Sequence, residues 1–287
     1  MAVVNDFASE ERNVQISRIC RVLEVPRSTA YYEARERARP ARRAEDDGTL
    51  AMLIYEIIQA HPYFGIRRVW AYLRFNLDWP VNRKRVARIM RENGWSLRRR
   101  RVGGRPRVQF MRSVADRINE RWATDIAMVF CGPQDGWCAV VPVLDCYSRE
   151  VLGWELSHTA RAKTAERALE QALINRFGWT GGASKDLTIR HDNGLVFGSR
   201  LYCGCAREYG LKQEFITPYT PEDNGLAERF IRSMKEECVW QHRFSSIEEA
   251  RKEISNWIKW YNEERPHQAL GYKTPRAVAL AALELAA

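Results

Sequence analysis

Between residues 121 and 240 the apolar residues change their period, and few folds accommodate the change. WATDIAMVF (122–130), WCAVVPVLDCYS (137–148) and EVLGWELS (150–157) are short runs rich in Val, Ile, Trp and Phe, which reads as three meandering strands. Residues 161–178 then take helical spacing, with Ala165, Ala168, Leu169, Ala172 and Leu173 as the buried stripe. LTIR (187–190) is a strand, 199–209 a helix, LKQEFI (211–216) a strand and 222–240 a helix. Three strands followed by α-β-α-β-α predict a mixed sheet covered by helices. The right-handed crossover rule sets the fourth strand parallel to the first and beside it. Ser246-x-x-Glu249 opens a last long helix whose inner face is Ile247, Ala250, Ile254, Trp257, Ile258 and Tyr261, and Pro266 ends it.

Upstream the pattern is helical and basic. Residues 14–33 read as helix, break at Val25-Pro26, and a second helix capped by Ser28 or Thr29. The Arg/Ala-rich stretch 34–48 reads as a linker. A further helical unit follows over 49–95, with a turn at His61-Pro62-Tyr63-Phe64-Gly65. Its last helix is capped by Asn82 and stopped by Gly94, with Val86, Ile89 and Met90 inward. Residues 96–120 read as a basic linker. Residues 1–120 hold 25 Lys and Arg against 14 Asp and Glu, whereas 121–287 hold 21 against 22. All the excess of the +10 net charge therefore sits in the N-terminal part, as in a nucleic-acid-binding half joined to a half with another task. The candidate DNA-binding residues are Arg27, Ser28, Arg67, Arg68, Arg83, Lys84, Arg85, Arg88 and the run Arg98, Arg99, Arg100 and Arg101.

The chain of 287 residues has room for a well-buried catalytic core. It has no run of eighteen apolar residues and no basic-then-apolar leader, which excludes a membrane span and points to a cytoplasmic protein. Seven scattered cysteines then read as reduced, buried thiols. Cys203-Gly-Cys205 near His191 lacks the spacing and the second ligand pair of a structural zinc site.

Asp-Asn-Gly occurs twice, at 192–194 and 223–225, with a βα unit between the copies. A turn needs only Asn-Gly, so the added carboxylates ask for a charged partner. Asp125 lies in the first strand and Asp192 directly after the fourth, so both reach one end of the sheet. On the helical wheel, Leu226, Ala227, Phe230, Ile231, Met234 and Cys238 form the buried arc. Glu228 borders it beside Asn224, Arg232 and Lys235, which are candidates to hold phosphate. One such aspartate alone is most simply a cap. Three carboxylates together, attached to a DNA-binding half, point instead to hard divalent cations with oxygen ligands, Mg²⁺ or Mn²⁺. Asp145, Asp223 and Glu222 are the substitutes should this triad fail.

NERWATDI, VLDCYSREVLGW, HDNG, TPYTPEDNGLAERFIRSMKEE and YNEERPHQALGYKTP, in that order, resemble the catalytic domain of bacterial insertion-sequence DDE transposases, relatives of retroviral integrases. Thirty-five residues separate Asp192 from Glu228, the family's spacing. The upstream HPYFGIRRVWAYLR resembles the helix-turn-helix segment of the group read from two overlapping frames, of which this chain corresponds to the downstream product. The resemblance implies a ribonuclease-H-like α/β core, 121–240, with a C-terminal helical extension, 241–287, behind an all-α DNA-binding region. It implies an Asp125, Asp192 and Glu228 triad holding two metal ions during catalysis. It also implies DNA partners (terminal inverted repeats and target), a homo-oligomer on DNA, and a possible upstream-frame protein. His191 stands where many relatives have Ser, which leaves the aspartate in place. The rival readings are a non-catalytic repeat-binding regulator and a purely hydrolytic nuclease of the same fold.

Overall fold

The first strand breaks where its aspartate sits. In the computed structural model, which describes residues 20–22, 24, 41–97, 115–178, 186–217 and 221–285, β1 (Arg121–Thr124) and β2 (Ala127–Phe130) run along the same edge of β3 (Trp137–Asp145). Their register is continuous, from Trp122 opposite Asp145 to Phe130 opposite Trp137. Asp125 and Ile126 interrupt the strand expected over 122–130. Cys146 N–H donates to Arg121 O, and Cys131 N–H to Gly136 O, so the odd-numbered residues of this edge turn their hydrogen-bonding groups toward β3. Asp125 has the same parity and comes level with Pro142, which has no N–H to donate. The ladder lapses there, and the Asp125 side chain is released from the pleat.

β4 (Val151–Ser157) pairs with the other edge of β3, antiparallel. β5 (Thr188–His191) lies parallel to β1, as the crossover rule requires, and β6 (Lys212–Phe215) lies parallel to β5. α4 (Ala162–Phe177) and α5 (Arg200–Glu208) cover one face, packing Leu169, Leu173 and Tyr202 on Val141, Leu152 and Ile189. α6 (Gly225–Glu237) and α7 (Ile247–Glu263) cover the other, with Phe230, Met234, Ile254 and Trp257 on Ala123, Val140 and Leu156. α4 lies directly on β4 because residue 153 is glycine. A Cβ there would come 2.5 Å from Ala168 O and Ala172 N. A final helix, α8 (Pro275–Glu284), falls beyond the elements expected and is capped by Thr274.

The chain forms two compact units, residues 1–50 and 51–287. Of the expected helix-turn-helix over 14–33 only residues 20–22 and 24 are described; Arg27 and Ser28 lie outside the described residues, as does the run Arg98 to Arg101. α1 (Ala41–Ala60) begins inside the stretch read as linker. α2 (Ile66–Phe75) and α3 (Arg83–Glu92) follow the sequence reading closely. Asn82 accepts from Lys84 N–H, Gly94 turns with φ 71°, and Val86, Ile89 and Met90 are buried. Within 51–287 these helices rest on the C-terminal segments. His61 stacks on Trp260 at 4.9 Å and Phe75 on Tyr272 at 5.6 Å. Among the described residues no helix is long and apolar enough to cross a membrane.

Candidate active site

Parallel pairing of β1 with β5 sets Ala123 opposite Arg190. Two residues further along each strand come Asp125 and Asp192, level with each other at the strands' C-terminal ends. Asp125 accepts the Ile126 N–H at 2.8 Å. Asp192 closes a tight turn by accepting the Gly194 N–H at 2.9 Å. A Cβ on residue 194 would stand 2.9 Å from Asp192 Oδ1, so glycine keeps that carboxylate in place.

The second Asp-Asn-Gly brings in the third carboxylate. Asn224 is buried and donates to Thr124 O at 3.0 Å, next to Asp125. It is therefore not presented to solvent for phosphate; it ties the start of α6 to the end of β1. Arg190 Nη1 donates to Asp223 O at 2.7 Å and ties the same turn to β5. α6 thus starts between the two strands that carry the aspartates. Glu228 lies in its first turn, on the exposed side, where the helix dipole favours a negative charge. The first triplet joins the same corner, since Asn193 donates to Ile216 O at 2.9 Å.

Burial pushes the Asp125 carboxyl up to about 6, and the negative charges of Asp192 and Glu228 add to the rise, while Lys235 opposes it. A divalent cation would relieve that repulsion, and an all-oxygen donor set suits one. Among the described residues no group of three or more His, Cys, Asp or Glu side chains is arranged to hold a metal ion.

Two of the substitutes, Asp145 and Asp223, are otherwise occupied. Asp145 is fully buried and accepts from Asn119 N–H, Tyr147 N–H, Ser148 N–H and the Ser148 hydroxyl. Asp223 accepts from Thr217 N–H. His191 is buried under Phe197 with its Nδ1 on Asp192 O, and burial holds its pKa below the usual range.

The basic candidates separate into groups. Lys235 lies near enough to Asp125 to act on it, while Arg232 pairs with Glu236 at 3.0 Å. Arg83 and Lys84 are exposed at the start of α3, Arg85 is half-buried, and Arg88 pairs with Glu92 at 3.2 Å. Arg67 reaches Gln268. Arg68 turns inward instead and meets the buried Glu237 at 2.6 Å.

Two ion networks escaped the sequence reading. Glu214 holds both Arg190 and Arg121 across three neighbouring strands, and the Arg190 hydrogen bonds, with the charges of both arginines, lower its pKa. Glu237 holds Arg68 and Arg265, joining α2, α6 and the segment after α7. Its signal was a carboxylate one turn from Met234 on the apolar side of α6.

The integrase core domain family matches residues 115–221 and, in a second match of the same description, 209–275. An HTH-like domain family matches 45–102. The transposase InsD for insertion element IS2A/D/F/H/I/K of Escherichia coli is 32% identical over 240 residues, which is 82% of this chain and 79% of the relative. InsD for IS2-9 of Escherichia coli K12 is equally similar, with 82% and 78% covered. The HTLV-2 integrase catalytic core in complex with magnesium is 18% identical, with a TM-score of 0.44 over 57% of this chain and 98% of that one. The simian T-cell lymphotropic virus intasome in complex with PP2A regulatory subunit B56 gamma gives 15%, a TM-score of 0.48, and 79% and 74% coverage. A ribonuclease-H-like integrase core behind an HTH-like domain defines a DNA-binding polynucleotidyl transferase of the DDE class. The chain belongs to the IS2-type insertion-sequence transposases, a family whose integrase-like core generally works with a divalent metal.

Proposed function

We propose that Asp125, Asp192 and Glu228 are the catalytic carboxylates with which this transposase nicks the ends of its element and joins them to new DNA. The observation that carries the reading is that parallel pairing sets Asp125 and Asp192 at neighbouring strand ends, and that Asn224 ties the start of α6, which carries Glu228, to the end of β1. The same three residues would hold two Mg²⁺ or Mn²⁺ ions, which when bound stabilise the attacking and leaving oxygens at phosphorus. The chain's own part is to orient the groups. Asn224 and Arg190 tie the turn before α6 to the strands that carry Asp125 and Asp192, and Lys235 offsets local negative charge next to Asp125. In the first step a water oxygen bonds to phosphorus and the 3′-oxygen leaves. In the second, that 3′-hydroxyl gives up its proton and bonds to the phosphorus of another phosphodiester, whose own 3′-oxygen leaves and takes up a proton.

The DNA partners are the terminal inverted repeats and the target, engaged by a homo-oligomer in the cytoplasm, with the upstream-frame protein as a further partner. Glu228→Gln keeps side-chain shape and removes the charge. Nicking and the joining of pre-cleaved ends should fall together by at least about 10²-fold, with gel-shift binding retained. Wild-type joining by Glu228→Gln would remove Glu228 from the site. The regulator reading needs a wild type inert in Mg²⁺, and the nuclease reading one that nicks but never joins.

A further inference from the structure

On the other side of α6 from the sheet end lies an open cavity of about 930 Å³, between α2 and α3 on one wall and α6 with the β3–β4 turn on the other. Arg67, Arg83 and Lys84 line the first wall, Arg149 and Arg229 the second. Its acids are already engaged. Asp145 is saturated by the hydrogen bonds described above, and Glu236 is held by Arg232. Among the described residues no carboxylate pairs with Arg83, Lys84, Arg149 or Arg229. Five cations face one cavity without an ion-pair partner among the described residues, against Asp145 as the one lining acid not itself in an ion pair, and this excess of positive charge favours an anion there.

Arg149 adds an independent sign. It sits at φ 64°, a left-handed conformation that glycine adopts more cheaply. A residue kept in that conformation by its surroundings is a candidate for function rather than for stability. The start of α2 also opens here, with Gly65 as an N-cap that offers no side-chain bond to the free N–H groups of the first turn.

We propose that this cavity is a phosphate track shared by the helical unit and the core, and that it grips the backbone of the element's terminal repeat. Arg229 directly follows Glu228 on α6, so the track and the proposed catalytic carboxylate occupy neighbouring faces of one helix. The terminal repeat, rather than target DNA, is the occupant because one wall is the HTH-like unit itself, with Arg83 and Lys84 at the exposed start of α3. The placement beside Glu228 rests on the catalytic reading, whereas the track does not.

The test uses the full chain and a labelled duplex carrying the terminal repeat, in EDTA so that no chemistry intervenes, across a salt series. Arg149→Gln with Arg229→Gln should weaken binding about tenfold and flatten the log K against log salt slope by about 1.8, since each phosphate contact contributes about 0.9. The exposed Arg229→Gln alone should flatten it by about half as much, and needs no change in the turn. Arg167→Gln with Arg207→Gln removes equal charge from the exposed surfaces of α4 and α5, on the opposite side of the sheet, and should leave the slope unchanged. An unchanged slope in both groove variants, or an equal fall in the control pair, overturns the proposal. So does a groove variant that binds the repeat normally but joins ends poorly to target DNA, because the occupant would then be the target. Failure of the catalytic reading appears separately, in the joining reaction of Glu228→Gln.

Discussion

Single residues decide where the acids stand. Pro142 interrupts a ladder, and the interruption falls at Asp125. Asn224 does a comparable service for Glu228 through one hydrogen bond to Thr124 O. In Asn224→Ala the buried Thr124 carbonyl loses that donor, at a cost of about 1–3 kcal/mol. Joining of pre-cleaved ends should fall at least about tenfold even at equal folded fraction, although no carboxylate has been touched. Urea unfolding reads the first effect and a strand-transfer assay the second. Normal joining would show that α6 keeps its place without this tie.

Elements were legible where their periodicity faced a core. The stripes of α3, α4, α6 and α7 are buried as the wheel and spacing predict. The start of α1 was hidden because Arg/Ala composition suits a linker and a helix equally. α8 was missed since its alanines are apolar without a marked stripe. The packing of α4 on β4 depends on a missing side chain. Gly153→Ala would drive a methyl into the backbone of α4, so the helix must move off the sheet. The expected cost is about 3 kcal/mol or more. A chemical-denaturation midpoint within error of wild type would mean that α4 shifts freely.

At the scale of the whole molecule, the HTH-like helices and the core within 51–287 share a buried polar joint built from Arg68, Glu237, Arg265 and His267. Burial lowers the His267 pKa to about 2, and the positive charges of Arg265, Arg149 and Arg68 act in the same direction. Below pH 6.5 the unfolded chain takes up a proton at this histidine and the folded chain does not. Stability from this group is therefore fully present above about pH 6.5 and drains away as the pH falls toward 2, by up to about 1.4 kcal/mol per pH unit. His267→Gln should make the decline between pH 6.5 and pH 4 shallower in urea melts. An equally steep decline would locate the acid sensitivity elsewhere.

What the chain order determined alone is the kind of core and the identity of the candidate acids. Apolar period, crossover handedness and the repeated Asp-Asn-Gly are local or pairwise regularities, and they can be read along a line of residues. Nothing local revealed that Asn224 and Arg68 point inward, that Glu237 is a buried anchor, or that Arg149 and Arg229 face Arg83 and Lys84 across one cavity. These depend on which helix lies against which, and a charged side chain looks the same in sequence whether it meets solvent or a partner folded over it. Only the tertiary structure, by bringing distant segments within hydrogen-bonding and Coulomb range, settled which charges are paired and which remain available to an anion.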